Sequence, residues 1–296
     1  MKGRTMPNAV PLIAVVGPTA TGKTALAIDI ARKIGGEIIC ADSRTLYAGL
    51  DIGTAKPTPE ERRLVPHHML DVIKPTERLS AGEFKRQAQQ LIAEIGARGH
   101  VPLLVGGSGL YVDSVLYDYQ FPPAADPVQR AELERLPLAT LVQRLQTLDP
   151  EAASSVDLQN PRRVIRAIET AGVGKSRASR LRDRTLVLGL MVNKEVARQR
   201  IEQRVKKMLE EGFIDEVKRV GKRYGWDSEA MAVIGYRAFR EVAQGQEAVI
   251  VGQAKFVAGD MALYKKQVTW FKRNPDIHLL QDPAEAWPLV DRFLVV

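Results

Sequence analysis

The sequence has very little cysteine and no long apolar run, and each shortage excludes a class of protein. The single cysteine, Cys40, cannot form a disulfide within the chain. It lies in an apolar run, which predicts a buried, inert thiol in a reducing cytoplasm. The longest apolar runs, "PLIAVVG" and "TLVLGLMV", have the length of strands and are too short to cross a bilayer. The first residues, "MKGRTMPNAV", are followed by no apolar segment of a signal peptide, so we expect a cytoplasmic protein without a membrane partner.

Acidic residues are too few to balance the basic ones. The chain has 43 Lys and Arg against 35 Asp and Glu, a formal net charge of +8, and such a charge attracts polyanions. The distribution says more than the total, because basic residues cluster between residues 162 and 184. The basic residues there are Arg162, Arg163, Arg166, Lys175, Arg177, Arg180, Arg182 and Arg184, and the acidic ones are Glu169 and Asp183. This cluster predicts a nucleic acid as partner.

Strand-like and helix-like segments alternate along the first part of the chain. The predicted elements are strands at 11–16, 37–41 and 101–105 and helices at 23–34 and 80–99. Ser80 and Glu83 have the spacing of a capping box at the start of the second helix. The alternation predicts an α/β fold, a P-loop NTPase-like or kinase-like parallel sheet flanked by helices, with ligands at the carboxyl ends of the strands.

The alternation stops near residue 121, where "FPPAA" begins a helical, charged stretch without a buried strand. This stretch predicts a helical insertion at residues 122–184. "TLVLGLMV" then returns the chain to the sheet, and further helices follow. The expected organisation is therefore a core of residues 1–121 and 185–296, interrupted by a helical subdomain.

The most specific local pattern is "GPTATGKT" at residues 17–24, which fits the phosphate-binding spacing G-x-x-x-x-G-K-[ST]. Backbone N–H groups of such a loop and the following helix N-terminus bind anions, and Lys23 adds a positive charge. Thr24 is placed to bind a Mg²⁺ ion that bridges two phosphate groups. The default ligand of this pattern is a nucleoside triphosphate. The predicted phosphate-binding residues are Gly17, Pro18, Thr19, Ala20, Thr21, Gly22, Lys23 and Thr24.

Asp42 follows the predicted strand "EIICA" and admits three interpretations. It is a turn residue at the end of the strand, a Mg²⁺ ligand of the Walker B kind, or a general base beside the phosphate site. The pattern alone favours the metal ligand slightly and leaves all three open.

Longer motifs occur in order along the chain. They are "GPTATGKT", "ADSRTLYAGLDIGTAKP", "HHMLDVIKP", "GEF", "VGGSGLY", "NPRRVIRAIE", "RIEQRV", "MLEEGFIDEV", "IGYRAF" and "KKQVTWFKR". Together, over about residues 12–273, they resemble the tRNA dimethylallyltransferase family. The resemblance implies a P-loop kinase-like core and a helical insertion that holds the anticodon stem-loop. It also implies Mg²⁺-dependent transfer of a dimethylallyl group from its diphosphate to N6 of the adenosine on the 3′ side of the anticodon.

The resemblance also assigns roles to residues. It makes Asp42 the base that removes a proton from the adenine amine, and it places Thr19, Lys23 and Mg²⁺ on Thr24 against the leaving diphosphate. It makes Arg204 a cation that binds the diphosphate, and Arg200 is the alternative for this role. The non-functional interpretation of Arg204 is a solvated charge on the surface of a helix.

RNA contacts follow from the same resemblance. The implied tRNA-binding residues are Asp42, Ser43, Arg44, Thr45, Ser108, Arg130, Arg162, Arg163, Val164, Ile165, Arg166, Lys265, Lys266 and Gln267. Each arginine taken alone is typical of a surface ion pair, whereas the set is typical of a surface that follows a phosphate backbone. Two features depart from the family pattern: Ser108 replaces a threonine, and the insertion is short.

Three other functions remain alternatives. An adenylate isopentenyltransferase acting on free nucleotides would share the loop and the base but would have little use for the basic insertion. A P-loop kinase would have a second acidic metal site and an arginine-rich lid. An RNA-binding module with a vestigial loop would not need an intact Lys23, Thr24 and Asp42. We expect a monomer whose partners are tRNA and dimethylallyl diphosphate.

Overall fold

The chain divides into two units. The computed structural model describes residues 9–121, 126–171 and 180–295. The first unit contains Met1–Asp118 and Ser179–Val296, and the second contains Tyr119–Ala178. Arg182 donates its backbone N–H to the carbonyl of Leu116 at 2.8 Å, so the chain reaches the first unit before the expected limit of residue 184. Lys175 and Arg177 of the basic cluster lie outside the described residues.

A parallel sheet forms the centre of the first unit. Its strands in the described residues are β1 Leu12–Val16, β2 Gly36–Cys40, β3 His67–His68, β4 Val101–Gly106, β5 Thr185–Leu190 and β6 Ile277–Leu280. They are arranged in the order β3-β2-β4-β1-β5-β6, and every neighbouring pair is parallel. In the register, Ile13 pairs with Leu103 on one side and with Leu186 on the other. All residues of β1 are buried, as expected for a parallel strand with both faces covered.

Helices make up most of the remaining chain. In the first unit they are α1 Lys23–Ile34, α2 Pro59–Leu64, α3 Ala81–Ala97, α4 Gly109–Leu116, α9 Lys194–Glu210, α10 Phe213–Tyr224, α11 Ile234–Ala243, α12 Val249–Phe271 and α13 Ala286–Val295. In the second unit they are α5 Pro127–Glu134, α6 Leu138–Leu148, α7 Pro150–Ser155 and α8 Pro161–Glu169. Short 3₁₀ turns occur at Glu229–Ala232 and Pro283–Glu285. None of the helices in the described ranges has the length and apolar character needed to span a bilayer.

The ends of α1 and α3 follow the sequence predictions. α1 runs from Lys23 to Ile34 and ends at Gly35, whose φ of 67° is the left-handed conformation that glycine adopts readily. At the start of α3, the Ser80 side chain accepts the backbone N–H of Glu83 at 3.2 Å, and the Glu83 carboxylate accepts that of Ser80 at 2.9 Å. The capping box is therefore confirmed.

Aromatic side chains hold the helices of the first unit together. The Phe213 ring lies 5.3 Å from the rings of Tyr236 and Phe239 and 5.7 Å from that of Phe256. All four side chains are buried. Aromatic pairs in this geometry add to the stabilisation from burial alone. This cluster packs α10 against α11 and α12, and the latter two helices line the pocket described below.

The second unit has its own apolar core, formed by α5 to α8. Val164 and Ile165 on α8 are 0% and 3% exposed and pack in this core. The apolar face of this amphipathic helix thus points inward, so these two side chains are not available to RNA, and the RNA role of the segment around them stays a prediction. Arg162 and Arg163, on the same helix, are exposed.

Candidate active site

A pocket of about 320 Å³ lies in the first unit at the carboxyl ends of β1, β2 and β4. The loop after β1 supplies Thr19–Thr24, the loop after β2 supplies Asp42, Arg44 and Thr45, and the loop after β4 supplies Gly106 and Gly107. Helices α9, α11 and α12 supply the opposite wall. This is the edge of the sheet at which the sequence predicted a ligand, since parallel sheets bind ligands at the carboxyl ends of their strands.

The phosphate-binding loop connects β1 to α1 by a sharp turn. Gly17 has a φ of 144°, and a Cβ atom there would overlap the carbonyl of Leu190, so only glycine is accommodated. Inside the loop, the Thr21 hydroxyl and the Lys23 ammonium both donate to the carbonyl of Pro18, at 2.9 and 2.6 Å. The Lys23 side chain therefore folds back along the loop, and Lys23 is also the first residue of α1, whose N-terminus lines the pocket.

Burial and neighbouring charge alter the acidity of Lys23. Desolvation lowers its pKa to about 8, the Coulomb interaction with Asp42 opposes this shift, and that with Arg204 adds to it. A cationic centre of this kind, partly stripped of water, gains more from an incoming anion than a fully solvated lysine does. Lys23 is thus suited to bind a phosphate group.

The loop after β2 brings Asp42 to the pocket. Its carboxylate accepts the backbone N–H of Arg44 at 2.9 Å, and its carbonyl accepts the Thr45 hydroxyl at 3.2 Å. Ser108, from the loop after β4, accepts the backbone N–H of Ser43 at 3.0 Å. The serine that stands in place of the family threonine therefore connects two loops of the pocket.

Two buried charges that sequence reasoning missed hold the rest of this loop. The Lys56 ammonium, whose side chain is 2% exposed, donates to the carbonyl of Tyr47 at 2.6 Å and forms ion pairs with Asp51 and Asp71. In the sequence, the only sign that Lys56 has a role is its place at the end of the long motif after Asp42.

Glu216 on α10 holds the neighbouring turn. Its carboxylate accepts the backbone N–H groups of Asp51, Ile52 and Gly53 at 3.0, 3.1 and 2.9 Å. Tyr236 donates its hydroxyl to the same carboxylate. Buried carboxylates need such partners, and here the partners are successive N–H groups of one turn. The loop from Asp42 onward is thus fixed at its far end to a helix.

The two candidate arginines of α9 have different surroundings. Arg204 lines the pocket and donates to the buried carboxylate of Asp260 at 2.6 Å. Burial raises the pKa of Asp260, and the charge of Arg204 opposes the shift. Arg200 instead donates to the carbonyls of Ala20 and Thr21, at 3.2 and 3.3 Å. Arg204 thus faces the pocket, whereas Arg200 braces the phosphate-binding loop.

Helix α12 separates its predicted RNA contacts. Lys265 and Lys266 are exposed. Gln267 is buried, accepts the backbone N–H of Thr19 at 2.9 Å and donates to the carbonyl of Gly107 at 2.8 Å. Both polar ends of this side chain are therefore used inside the protein.

The donor set of the pocket fits a Mg²⁺ site of the P-loop type. Thr24 lines the pocket in the first turn of α1 and is exposed. Among the described residues, no group of three His, Cys, Asp or Glu side chains is arranged to hold a metal. Mg²⁺ usually takes only one or two protein ligands and completes its shell with water and substrate phosphates. A threonine hydroxyl beside a phosphate-binding loop meets that requirement.

The predicted RNA-binding arginines of the second unit differ in their ion pairs. Arg130 and Arg166 converge on the buried carboxylate of Glu169, at 3.2 and 3.3 Å. Arg163 lies 3.6 Å from an exposed aspartate, and Arg162 is exposed. Their role toward RNA stays a prediction.

Comparison with known proteins gives a consistent assignment. A family model described as IPP transferase matches residues 45–274. The tRNA dimethylallyltransferase of Roseiflexus sp. (strain RS-1) is 42% identical over 289 residues, which cover 94% of each chain. The tRNA dimethylallyltransferase of Bacillus velezensis (strain DSM 23117 / BGSC 10A6 / LMG 26770 / FZB42) is 39% identical over 89% of this chain and 88% of its own.

Solved structures agree with the sequence comparison. The full-length tRNA isopentenylpyrophosphate transferase from Bacillus halodurans superposes with a TM-score of 0.72 at 34% identity, covering 96% of this chain and 95% of its own. A eukaryotic dimethylallyltransferase acting on tRNA gives a TM-score of 0.80 at 26% identity, covering 92% of this chain and 73% of its own. The six-stranded sheet flanked by helices is therefore a P-loop NTPase-like fold, as predicted.

Proposed function

Since this chain belongs to the IPP transferase family, we propose that it transfers a dimethylallyl group from dimethylallyl diphosphate to N6 of the adenosine on the 3′ side of the anticodon in tRNA. The observation that carries the proposal is that one pocket holds both the phosphate-binding loop and the carboxylate of Asp42. The reaction needs both, an anion site for the leaving diphosphate and a proton acceptor for the amine.

Asp42 acts as the general base. The exocyclic amine of adenine is a weak nucleophile because its lone pair is delocalised into the ring. The N6–C1 bond forms while the C1–O bond of the donor breaks, and the bonding electron pair leaves with the diphosphate. The amine proton passes to the Asp42 carboxylate, whose position is set by the N–H of Arg44.

The phosphate-binding loop stabilises the leaving group. Charge grows on the bridging oxygen of the donor as the bond breaks. The loop N–H groups, the Thr19 hydroxyl, Lys23 and Arg204 face the pocket and are suited to bind that charge. Thr24 would hold a Mg²⁺ ion, which would supply further positive charge to the diphosphate. The loop binds phosphate oxygens only, so nothing in it requires a nucleoside.

The adenosine must leave its stack to reach Asp42, which is inexpensive for a loop nucleotide. The exposed basic residues of α8 and α12, among them Arg162, Arg163, Lys265 and Lys266, are proposed to contact the anticodon stem-loop. We further propose a monomer that works in the cytoplasm, where its tRNA substrate is.

The alternatives fit the pocket less well. A kinase would draw a second acidic metal ligand from a neighbouring strand end, whereas β4 runs into Gly106 and Gly107. An enzyme for free adenylate would not require the exposed arginines of α8.

The test is to incubate the protein with Mg²⁺, dimethylallyl diphosphate and unmodified tRNA, and then to digest the tRNA and weigh its nucleosides. We expect a dimethylallyl mass increase on one adenosine, and no increase when adenosine monophosphate replaces tRNA. The Lys23→Ala variant is expected to lose roughly 10²–10³ in rate, as for a lost transition-state donor. Absence of the mass increase, with tRNA-stimulated ATP hydrolysis in its place, would overturn the proposal.

A further inference from the structure

Gln267 connects two loops of the pocket through one side chain. Its Oε1 accepts the backbone N–H of Thr19 in the phosphate-binding loop at 2.9 Å. Its Nε2 donates to the carbonyl of Gly107 in the loop after β4 at 2.8 Å. The two loops are otherwise far apart in sequence, and the connecting residue comes from the C-terminal part of α12.

Gln267 is closely surrounded by the backbone of both loops. A Cβ atom at Gly107 would collide with the Gln267 amide and would lie 3.2 Å from the carbonyl oxygen of Gly17. Gly107 therefore lies in close contact with the amide of Gln267 and with the start of the phosphate-binding loop. Gln267 itself is 9% exposed. A side chain so enclosed, with its amide oxygen and nitrogen both bonded to backbone, is poorly placed to contact a large ligand such as RNA.

We propose that Gln267 is a positioning residue for the diphosphate donor: it holds the Pro18–Thr19 segment of the phosphate-binding loop in its binding conformation and ties that loop to α12. This inference rests on the proposed function, and it replaces the expected RNA contact at this position. Lys265 and Lys266 on the same helix are exposed and keep the RNA role. One helix therefore carries the RNA-facing lysines and the residue that fixes the donor loop.

The chemistry of the bridge selects glutamine. The site needs one acceptor for the Thr19 N–H and one donor for the Gly107 carbonyl, and an amide has both. A carboxylate lacks the donor, an ammonium lacks the acceptor, and an asparagine is one methylene too short for the same span. Without the amide, the part-buried N–H of Thr19 and the buried carbonyl of Gly107 lose their partners, and the loop shifts to find new ones. The Thr19 hydroxyl and the loop N–H groups then no longer converge on the diphosphate.

The first experiment uses Gln267→Met, which keeps the volume and removes both hydrogen bonds. Mg²⁺ with inorganic diphosphate is the probe in calorimetry, dimethylallyl diphosphate is the substrate in kinetics, and unmodified tRNA is the ligand in a binding assay. We expect the Kd of inorganic diphosphate and the KM of the donor to rise together by about tenfold or more. The Kd of tRNA is expected to change by less than about twofold. Lys266→Ala is the matched control with the opposite pattern: weaker tRNA binding and unchanged diphosphate binding.

A second variant separates positioning from general stability and serves also if Gln267→Met does not fold. In Gln267→Glu the introduced carboxyl lacks a donor when ionised but regains one when protonated. Burial raises the pKa of such a group, so we expect the ratio of variant to wild-type kcat/KM to rise about fivefold or more between pH 8 and pH 6. Rates are taken per folded molecule, with the folded fraction measured at each pH, because a buried carboxyl also makes stability depend on pH. Loss of stability alone would then leave that ratio independent of pH.

The outcomes are distinct. A rise in the Kd of tRNA with unchanged diphosphate binding would restore Gln267 as an RNA contact and overturn the inference. Unchanged diphosphate binding together with a flat pH ratio would overturn it as well. If the wild-type protein transfers no dimethylallyl group, the proposed function fails, but the Kd of inorganic diphosphate still tests the role of Gln267.

Discussion

The two ends of strand β2 carry two carboxylates with opposite surroundings. At the amino end, the Glu37 side chain is 5% exposed and lies 2.7 Å from Arg98, 2.6 Å from His68 and 2.7 Å from His100. Burial alone would raise the pKa of Glu37, but hydrogen bonds from these three side chains outweigh it and lower the pKa to about 2. At the carboxyl end, Asp42 is half-buried in the pocket and accepts the backbone N–H of Arg44.

This difference separates a structural acid from a chemical one. Glu37 is surrounded by donors on its own protein and is held permanently ionised, so it can contribute to stability but cannot exchange a proton near neutral pH. Asp42 faces a pocket in which a substrate amine can become its partner. Four residues separate the two acids, and the direction of the strand places one at each edge of the sheet.

The arginines of the second unit also divide into side chains with a buried partner and side chains that are exposed. Arg130 and Arg166 share the carboxylate of Glu169, whose side chain is 1% exposed. Arg162 and Arg163 project from α8 with large exposure. A charge already paired inside the protein has less to gain from a phosphate than an exposed one does. We therefore expect Arg162 and Arg163 to contribute more to RNA binding than Arg130 and Arg166 do.

The largest expected effect is at Asp42. Asp42→Asn keeps the size and the hydrogen bond from Arg44 but cannot accept a proton. Transfer is expected to slow by about 10²–10⁴, the usual contribution of a general base, with little change in tRNA affinity or melting temperature. Single-turnover kinetics and a thermal melt measure the two quantities. If the melting temperature falls while the activity per folded molecule is retained, Asp42 has a structural role like that of Glu37.

A smaller effect is expected on RNA binding. Replacing Arg162 and Arg163 together by alanine should weaken tRNA binding by about tenfold at moderate salt and reduce the salt slope by about 0.9 per lost phosphate contact. Binding of inorganic diphosphate should not change. Arg144→Ala, an exposed arginine on α6 with no assigned role, is the control. An unchanged salt slope in the double variant would show that these arginines are ordinary solvated charges.

Glu37 should affect stability and not chemistry. Glu37→Gln is expected to lower the free energy of unfolding by about 1 kcal/mol at pH 7, because it removes charge from four hydrogen bonds. Since the folded pKa is depressed, the ionised form stabilises the protein fully above pH 4.5. The difference from wild type should therefore shrink as the pH falls from 4.5 to about 2. Urea unfolding at several pH values measures it, with Glu202→Gln on the surface of α9 as control. A large loss of transfer activity in the folded variant would contradict the division of roles.

The smallest effect is expected at Cys40, which ends strand β2 two residues before Asp42. Burial raises the pKa of this thiol to about 12, and the charge of Asp42 adds to the shift. The folded protein should show almost no reaction with a maleimide at pH 8, whereas the unfolded chain should react completely. Rapid labelling of the folded protein would mean that this edge of the sheet opens to solvent.

Local patterns were sufficient for much of the fold. β1, α1 and α3 lie within a residue or two of their predicted limits, because apolar periodicity, a glycine stop and a capping box all act over a few residues. The edge strands β3 and β6 were missed, since they have two and four residues and derive their order from neighbours on the sheet.

The sequence by itself determined the phosphate-binding loop and the place of Asp42 after a strand, because spacing along the chain dictates both. Only the tertiary structure decided which charged side chains have partners. Arg204 meets Asp260, Lys56 meets Asp51 and Asp71, and Glu216 meets the turn at residues 51–53. The contacts of Arg204 and Glu216 join residues from distant parts of the chain, and burial makes such partners obligatory only once the fold has removed the water. The same holds for Gln267, which looks like an RNA contact in its motif and becomes a bridge between two loops when α12 packs against them.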